Sequence, residues 1–181
     1  MRRNFFEKIY DLFRYDIPRF VKNFWRFRKN LWNFRWYDYS YTLSMLRTSL
    51  QIMSDNVETK GYEVDVSRLK KVAKMRRVIQ IIDNMNSLTH LEMAEKELGS
   101  LYESNWEFVP DGTEHYSVKN DLSLEEKTHN HKVYERSREI ENEEWNELWK
   151  ILQGQRHEDY KNSNVEWDEW FDGSGMNTWW D

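Results

Sequence analysis

Residues 17–60 read IPRFVKNFWRFRKNLWNFRWYDYSYTLSMLRTSLQIMSDNVETK. After Pro18 this stretch contains neither proline nor glycine, the two residues that most readily interrupt a helix. Its apolar residues recur every three or four positions, which is the spacing of one face of an α-helix. The first such stripe consists of Ile17, Phe20, Phe24, Phe27, Leu31 and Phe34. The stretch therefore predicts long helices, and we expect this stripe to be a buried face.

A second apolar stripe follows the first but is out of phase with it. It consists of Trp36, Tyr39, Leu43, Leu46, Leu50, Met53 and Val57. Because the phase changes between Phe34 and Trp36, either a bend lies near Asn33 or one long helix turns its buried face there. We favour two helices, 17–33 and 35–55.

Three further helices are predicted by the same spacing. They cover residues 4–14, residues 66–86 and residues 88–98, the last ending before Gly99. The buried stripe of the middle one is expected to be Leu69, Val72, Met75, Ile79 and Ile82.

The second half of the chain predicts a hairpin and one more long helix. Trp106 and Phe108 alternate with polar neighbours ahead of a Pro-Asp-Gly turn, so we expect a β-hairpin at about 105–119 that packs on the helices. Ser123 and Glu126 have the spacing of a capping box, which opens a helix over about 124–152.

These elements predict a mainly α fold: a helical bundle of about five to six helices with one small β-hairpin and an aromatic C-terminal tail. We divide the chain into a helical domain, residues 1–154, and a Trp-rich acidic arm, residues 155–181. Ten Trp, ten Tyr and nine Phe indicate a core built largely from rings. With no Cys, disulfides and thiolate zinc sites are excluded. No apolar run is long enough to predict a transmembrane segment.

Charge is distributed unevenly along the chain, although the net charge is only −5. Residues 1–50 carry 11 Lys and Arg against 4 Asp and Glu, whereas residues 101–150 carry 6 against 13. Two interpretations stay open. The oppositely charged ends attract each other within one fold, or the basic end is a surface for an anionic partner.

The densest basic and aromatic segment is FWRFRKNLWNFRWYDYSY, residues 24–41. Cationic side chains pair with phosphates and exposed rings stack on bases, so the segment is a candidate site for a nucleic acid or nucleotide. A core helix with solvated charges and a helix lying on a membrane surface share this pattern. The candidate ligand-binding residues are Arg26, Arg28, Trp32, Arg35, Trp36, Lys70, Lys74 and Arg77.

Aromatic residues are concentrated in the acidic arm, where a chain end is ordinarily polar. The candidate docking residues are Trp167, Trp170, Phe171, Trp179 and Trp180. The free-energy cost of ordering this arm is about as large as the free energy that the rings gain by burial. The arm can therefore dock only if most of the rings find pockets together. Those pockets belong either to the arm's own domain or to a partner, including a second copy of the chain.

Glu126 and His129 share a helix face, and His115 could add a third ligand from the hairpin. We favour a helix start without a metal, because a helix this rich in Glu often places one near a His by chance. The chain has no nucleophile motif, no phosphate-binding loop and no H-E-x-x-H pair, so neither catalytic residues nor a cofactor is predicted.

Four segments together resemble a family of small uncharacterised proteins from tailed bacteriophages. They are residues 31–53, 67–84 and 144–155, and the ending FDGSGMNTWWD at 171–181, whose Trp-Trp-Asp terminus is typical of that family. The resemblance implies expression in the cytoplasm of an infected bacterium, and it implies no activity or catalytic residue.

Three functions follow, in order of preference. The first is a non-enzymatic phage accessory protein that binds a nucleic acid or nucleotide, either in host takeover or by sequestering a host immune signal. The second is a module that docks on a host or phage protein, joins the virion or forms a homo-oligomer through the acidic arm. The third is a metal-dependent hydrolase.

Overall fold

The computed structural model describes residues 5–61, 64–87, 89–110, 112, 116–161 and 164–179. It is mainly helical with one two-stranded antiparallel hairpin, which confirms the predicted fold class. In chain order the elements are α1 (Phe5–Asp11), α2 (Ile17–Asn33), α3 (Tyr39–Lys60), α4 (Asp65–Met85), α5 (Thr89–Leu98), β1 (Trp106–Pro110), β2 (Tyr116–Asn120), α6 (Leu124–Gln153), α7 (His157–Lys161) and α8 (Trp167–Trp170). A π-helical segment, Leu12–Asp16, joins α1 to α2, and a 3₁₀ turn, Met176–Thr178, follows α8.

The main core lies between α3, α4 and α6. Helix α4 is central, because it packs against both of the others and buries Met75 and Ile82 completely. Leu50 from α3 and Leu148 from α6 close the core on either side. A smaller apolar cluster joins α5 to α6 through Ala94, Val133 and Ile140. Burial of these faces, rather than helix propensity, stabilises the long helices.

The stripe predicted in residues 66–86 is confirmed at four of its five positions. Val72, Met75, Ile79 and Ile82 are buried, and only Leu69, the fifth residue of the helix, is exposed. In the stripe along α3, Leu43 and Leu50 are buried. That helix begins at Tyr39 rather than residue 35, because the Asp38 carboxylate caps it by accepting a hydrogen bond from the Ser40 N–H at 2.9 Å.

The prediction that the first stripe is a buried face is wrong. Phe20 is 69% exposed, and Phe24 and Leu31 are exposed as well. The reason is that α2 rests on α3 through a polar contact: Asn30 Nδ2 donates to the Ser44 carbonyl oxygen at 2.7 Å and to Thr48 Oγ1 at 2.9 Å. This contact leaves the apolar side of α2 uncovered. Helical spacing identifies an apolar face but does not identify what covers it.

The hairpin forms where the sequence predicts it, but its rings do not pack on the helices. In the antiparallel register Trp106 pairs with Asn120 and Phe108 with Val118. Trp106, Phe108 and Tyr116 are all exposed, which corrects the expectation that the hairpin packs on the bundle. Its base is held by polar contacts instead, since the Asn105 backbone and side chain both donate to the Asp121 carboxylate.

Within the described ranges, no helix combines the length and the apolar character that crossing a bilayer requires.

Candidate functional site

The helical N-terminal segment, residues 5–33, is largely exposed, and we call it the basic arm. It runs through α1, the π-helical segment and α2 without a break. No side chain from Phe6 to Asn33 is fully buried. Helix α2 carries five basic residues and no acidic residue. The arm is thus a cationic helix whose side chains are largely available to a ligand.

Apolar and basic side chains occupy opposite sides of α2. With 100° per residue, its apolar side chains fill an arc about 160° wide. That arc holds Ile17, Phe20, Val21, Phe24, Trp25, Phe27, Leu31 and Trp32. Arg19, Lys22, Arg26 and Lys29 point to the other side, and Arg28 is the one cation within the apolar arc. This segregation is the pattern of an amphipathic surface helix.

Arg28 and two tryptophans form an open cleft near the end of the arm. The Arg28 guanidinium carbon lies 5.3 Å from the centre of the Trp25 ring, and its Nη1 donates to the Trp25 carbonyl oxygen at 2.5 Å. Trp32, which is 89% exposed, lines the same cleft of about 420 Å³. Just beyond α2, Arg35 donates to the Tyr37 hydroxyl at 3.2 Å, and Trp36 is exposed.

The predicted ligand-binding residues fall into two groups. Five of them lie on the basic arm or in the turn after it: Arg26, Arg28, Trp32, Arg35 and Trp36. The other three lie on α4 and are engaged by groups of the same chain. Lys70 Nζ donates to the carbonyl oxygens of Asp168 and Phe171, and Lys74 pairs with Asp172 at 3.0 Å.

Arg77, the last of the three, is held by α6. Its guanidinium makes two hydrogen bonds to the Glu147 carboxylate, at 2.7 and 2.8 Å. These bonds raise the pKa of Arg77 and lower the pKa of Glu147. All three α4 cations are therefore engaged by groups of the same chain, Lys70 through backbone carbonyls and the other two through ion pairs, whereas the group on and next to the basic arm faces solvent.

The acidic arm, residues 155–181, packs on its own chain in its described parts. Trp179 is 1% exposed within the main core, and its Nε1 donates to the Gly173 carbonyl oxygen at 2.8 Å. Phe171 is also buried, and its ring stacks on Trp167 with centroids 5.1 Å apart. Trp170 is half-buried, and Trp180 lies outside the described residues.

Two glycines permit this close packing of the acidic arm. A Cβ on Gly154, where φ is +72°, would lie 2.4 Å from the Gly175 Cα. A Cβ on Gly173, where φ is +88°, would lie 2.4 Å from the Lys70 carbonyl carbon. Both positions combine a left-handed backbone with a contact that leaves no room for a side chain. Of the predicted docking residues, Phe171 and Trp179 are thus covered by the protein itself.

Asp172 joins the acidic arm to α4. Burial by itself raises the pKa of the Asp172 carboxyl, but hydrogen bonds from Ser174 and the neighbouring Lys74 ammonium outweigh burial, so the pKa lies below its usual range. A carboxyl whose pKa is lowered by folding stabilises the folded state above its unfolded pKa. That contribution is lost as the pH falls through the folded pKa.

We expect Asp172→Asn to lower stability at neutral pH and to match the wild type in acid. Urea unfolding of both proteins, from about pH 7 to about pH 3, gives the difference in their free energies of unfolding. The difference begins to shrink below about pH 4, because the unfolded Asp172 carboxylate then takes up a proton, and it is lost as the pH falls through the lower folded pKa; the Asn side chain has no proton to gain. All other carboxyl groups titrate equally in the two proteins and cancel. A difference that does not change with pH would contradict the role given to this carboxylate.

The metal-site candidates do not converge within the described residues. Glu126 is used in the capping box: it accepts a hydrogen bond from the Ser123 N–H at 2.7 Å, which lowers its pKa. His129 Nε2 lies 3.1 Å from the Ser100 carbonyl oxygen. His115 lies outside the described residues. Across the ranges that are described, no three His, Asp or Glu side chains are grouped as metal ligands would be.

A buried polar network links α4, α5 and α6, and the sequence does not reveal it. Glu144 accepts a hydrogen bond from Asn84 Nδ2 at 2.7 Å, and its other oxygen lies 2.8 Å from His90 Nε2. Glu144 and His90 are each 7% exposed. No local motif marks them, because this His and this Glu become hydrogen-bond partners only once the helices have packed.

Comparison with models of protein families, with curated proteins and with solved structures finds no match to this chain.

Proposed function

We propose that this protein is a non-enzymatic binding protein that holds an anionic, phosphate-bearing ligand through its basic arm and the turn after it. The observation that carries the proposal is the charge of α2: five cations, no carboxylate and a solvent-exposed surface. Opposite charge at such a surface attracts a polyanion and raises its rate of association.

The cations of the arm are available because the chain neutralises few of them. Arg19 pairs with Asp16 at 2.6 Å. Lys22, Arg26 and Lys29 form no ion pair with any residue that the structure describes. Lys74 and Arg77 are in ion pairs and Lys70 is hydrogen-bonded to backbone carbonyls, so the proposed site keeps Arg26, Arg28, Trp32, Arg35 and Trp36 of the predicted set.

The shape of the arm favours an extended ligand over a single nucleotide. Sequestering a nucleotide requires an enclosed pocket that combines cations with stacking rings. The clefts on the arm are open to solvent, and its 29 residues extend over about 43 Å. We propose the cytoplasm of a phage-infected bacterium as the setting, which rests only on the resemblance of four segments to a phage family.

Charge reversal on the arm tests the proposal. We expect Lys22→Glu/Arg26→Glu/Lys29→Glu to weaken binding to anionic vesicles or to a single-stranded oligonucleotide by at least about tenfold at about 50 mM salt. Wild-type affinity falls steeply as salt is raised to about 300 mM, because bound counterions are released on association. Co-sedimentation measures binding to the vesicles, and fluorescence anisotropy measures binding to the oligonucleotide.

A matched control reverses exposed lysines elsewhere. Lys132→Glu/Lys150→Glu on α6 changes net charge in the same direction without touching the arm. This variant keeps wild-type affinity if the arm is the binding element. Equal losses in both variants would show a general charge effect, and no binding of either ligand at low salt would exclude the proposed function.

A further inference from the structure

We infer that the anionic ligand is the surface of a lipid bilayer, and that the basic arm lies in the headgroup region with its apolar arc turned toward the acyl chains. The inference rests on the proposed function and names the ligand of the same site. It follows from where rings, aliphatic side chains and cations lie around the helix.

The opposition of rings and cations favours a bilayer over a nucleic acid. Lys22 and Arg26 each point about 160° away from Phe24 on α2, so a single strand paired with them would not reach that ring; the cations that lie beside rings are Arg28 and Lys29, in the cleft with Trp32. A bilayer interface offers anionic headgroups at the level of the helix axis and an apolar phase below it. It can therefore satisfy both sides of the same helix.

The composition of the apolar arc supports the same choice. Aliphatic side chains do not stack on bases, yet the exposed arc contains three of them: Ile17, Val21 and Leu31. Transfer of these side chains from water to the acyl boundary lowers the free energy. Trp25 and Trp32 lie toward one edge of the arc, the headgroup level at which tryptophan concentrates in membrane proteins.

The exposed apolar surface continues from α2 into α1. Phe6, Ile9 and Phe13, spaced three and four residues apart, are exposed along α1 and the π-helical segment. They line an open cleft of about 630 Å³ that reaches Pro18 at the start of α2. The apolar surface therefore extends along most of the arm, whereas docking on a small globular partner would require only a short part of it.

Charge argues against a second copy of the arm as the occupant. Pairing two arms through their apolar arcs would place two helices of five cations and no carboxylates side by side. Like charges at that separation oppose association, whereas anionic lipid attracts each cation by about 1 kcal/mol. Asn30, which joins α2 to α3, lies outside the apolar arc, so the arc can meet a bilayer while α3 stays attached.

The test uses the full chain and vesicles of phosphatidylcholine, alone or with about 30% phosphatidylglycerol. We expect flotation with the anionic vesicles and at least about tenfold weaker partitioning into neutral ones. Phe20→Ser/Phe24→Ser keeps every charge and lowers partitioning by at least about tenfold, because it removes two inserted rings. Brominated lipids quench the tryptophan fluorescence of the wild type, and this quenching is lost in Trp25→Phe/Trp32→Phe.

The matched control is Phe108→Ser/Tyr116→Ser, which removes from the hairpin two rings that together are at least as exposed as Phe20 and Phe24. This variant binds vesicles like the wild type. The inference is overturned if Phe20→Ser/Phe24→Ser binds vesicles like the wild type, since binding is then purely electrostatic. It is also overturned if the protein binds an oligonucleotide but no vesicle, or forms an arm-dependent dimer and binds no vesicle. Binding of the oligonucleotide alone contradicts the bilayer inference but still supports the proposed function. If the protein binds neither vesicles nor the oligonucleotide, both the inference and the proposed function are contradicted.

Discussion

Trp179→Ala lowers the free energy of unfolding by about 3–5 kcal/mol, the usual cost of replacing a large buried ring with a methyl group. Trp179 is among the largest fully buried side chains of the described protein, and it packs with Leu50, Met75 and Leu148. The substitution also removes the indole N–H that donates to the Gly173 carbonyl oxygen. Urea unfolding followed by circular dichroism measures the loss.

The control for this prediction is the same substitution at an exposed indole. Trp32→Ala changes stability by less than about 0.5 kcal/mol, because Trp32 is 89% exposed and belongs to neither core cluster of the described residues. The contrast separates a tryptophan that stabilises the fold from one available to a ligand. If Trp179→Ala changes stability as little as Trp32→Ala, the acidic arm does not form part of the core.

That contrast also shows which features the sequence could reveal. Spacing alone predicts the buried stripe of α4, because Met75, Ile79 and Ile82 share one core cluster with apolar residues of α3 and α6. The capping box likewise needs no tertiary information, since Ser123 and Glu126 satisfy each other's backbone groups locally. Local chemistry and a strictly repeated period are therefore sufficient where the element finds the partner that its pattern requires.

The basic arm shows where the same reasoning fails. Phe20, Phe24 and Leu31 have the spacing of a core stripe as regular as that of α4, yet they are exposed. Periodicity reports the sidedness of a helix, and sidedness is shared by core helices and helices that lie on another surface. The distinguishing signal is in the charges: five cations and no carboxylate on α2, against mixed charges on α4.

The α4 cations show a related limit of sequence spacing. Lys70, Lys74 and Arg77 share the outer side of α4, which spacing alone cannot distinguish from a solvent-exposed surface. The acidic arm returns over about 100 residues to engage Lys70 and Lys74, while α6 engages Arg77. Contacts so distant in sequence become visible only in the folded chain. The opposite charges of these segments are evident in the sequence, but the sequence does not show which groups pair.

Loss of the Glu144 carboxylate has the second large effect that we expect. Glu144→Ala lowers the free energy of unfolding by about 2–4 kcal/mol, because it leaves the Asn84 amide and the His90 ring without their partner inside the protein. Asn84 and His90 belong to different helices, so all the contacts of α6 with α4 and α5 weaken together. Thermal and urea unfolding measure this change.

Glu147→Ala on the same helix provides the control that isolates burial. Glu147 lies three residues later and shares Arg77 with Glu144, but its side chain is 41% exposed. Removing an exposed ion pair costs less than about 1 kcal/mol, because water solvates the guanidinium that is left behind. Equal losses from the two substitutions would mean that Arg77 pairing, and not the buried acceptor for Asn84 and His90, holds these helices together. A loss at least twice as large from Glu144→Ala supports the buried network, since only there does a polar group lose its partner without gaining water.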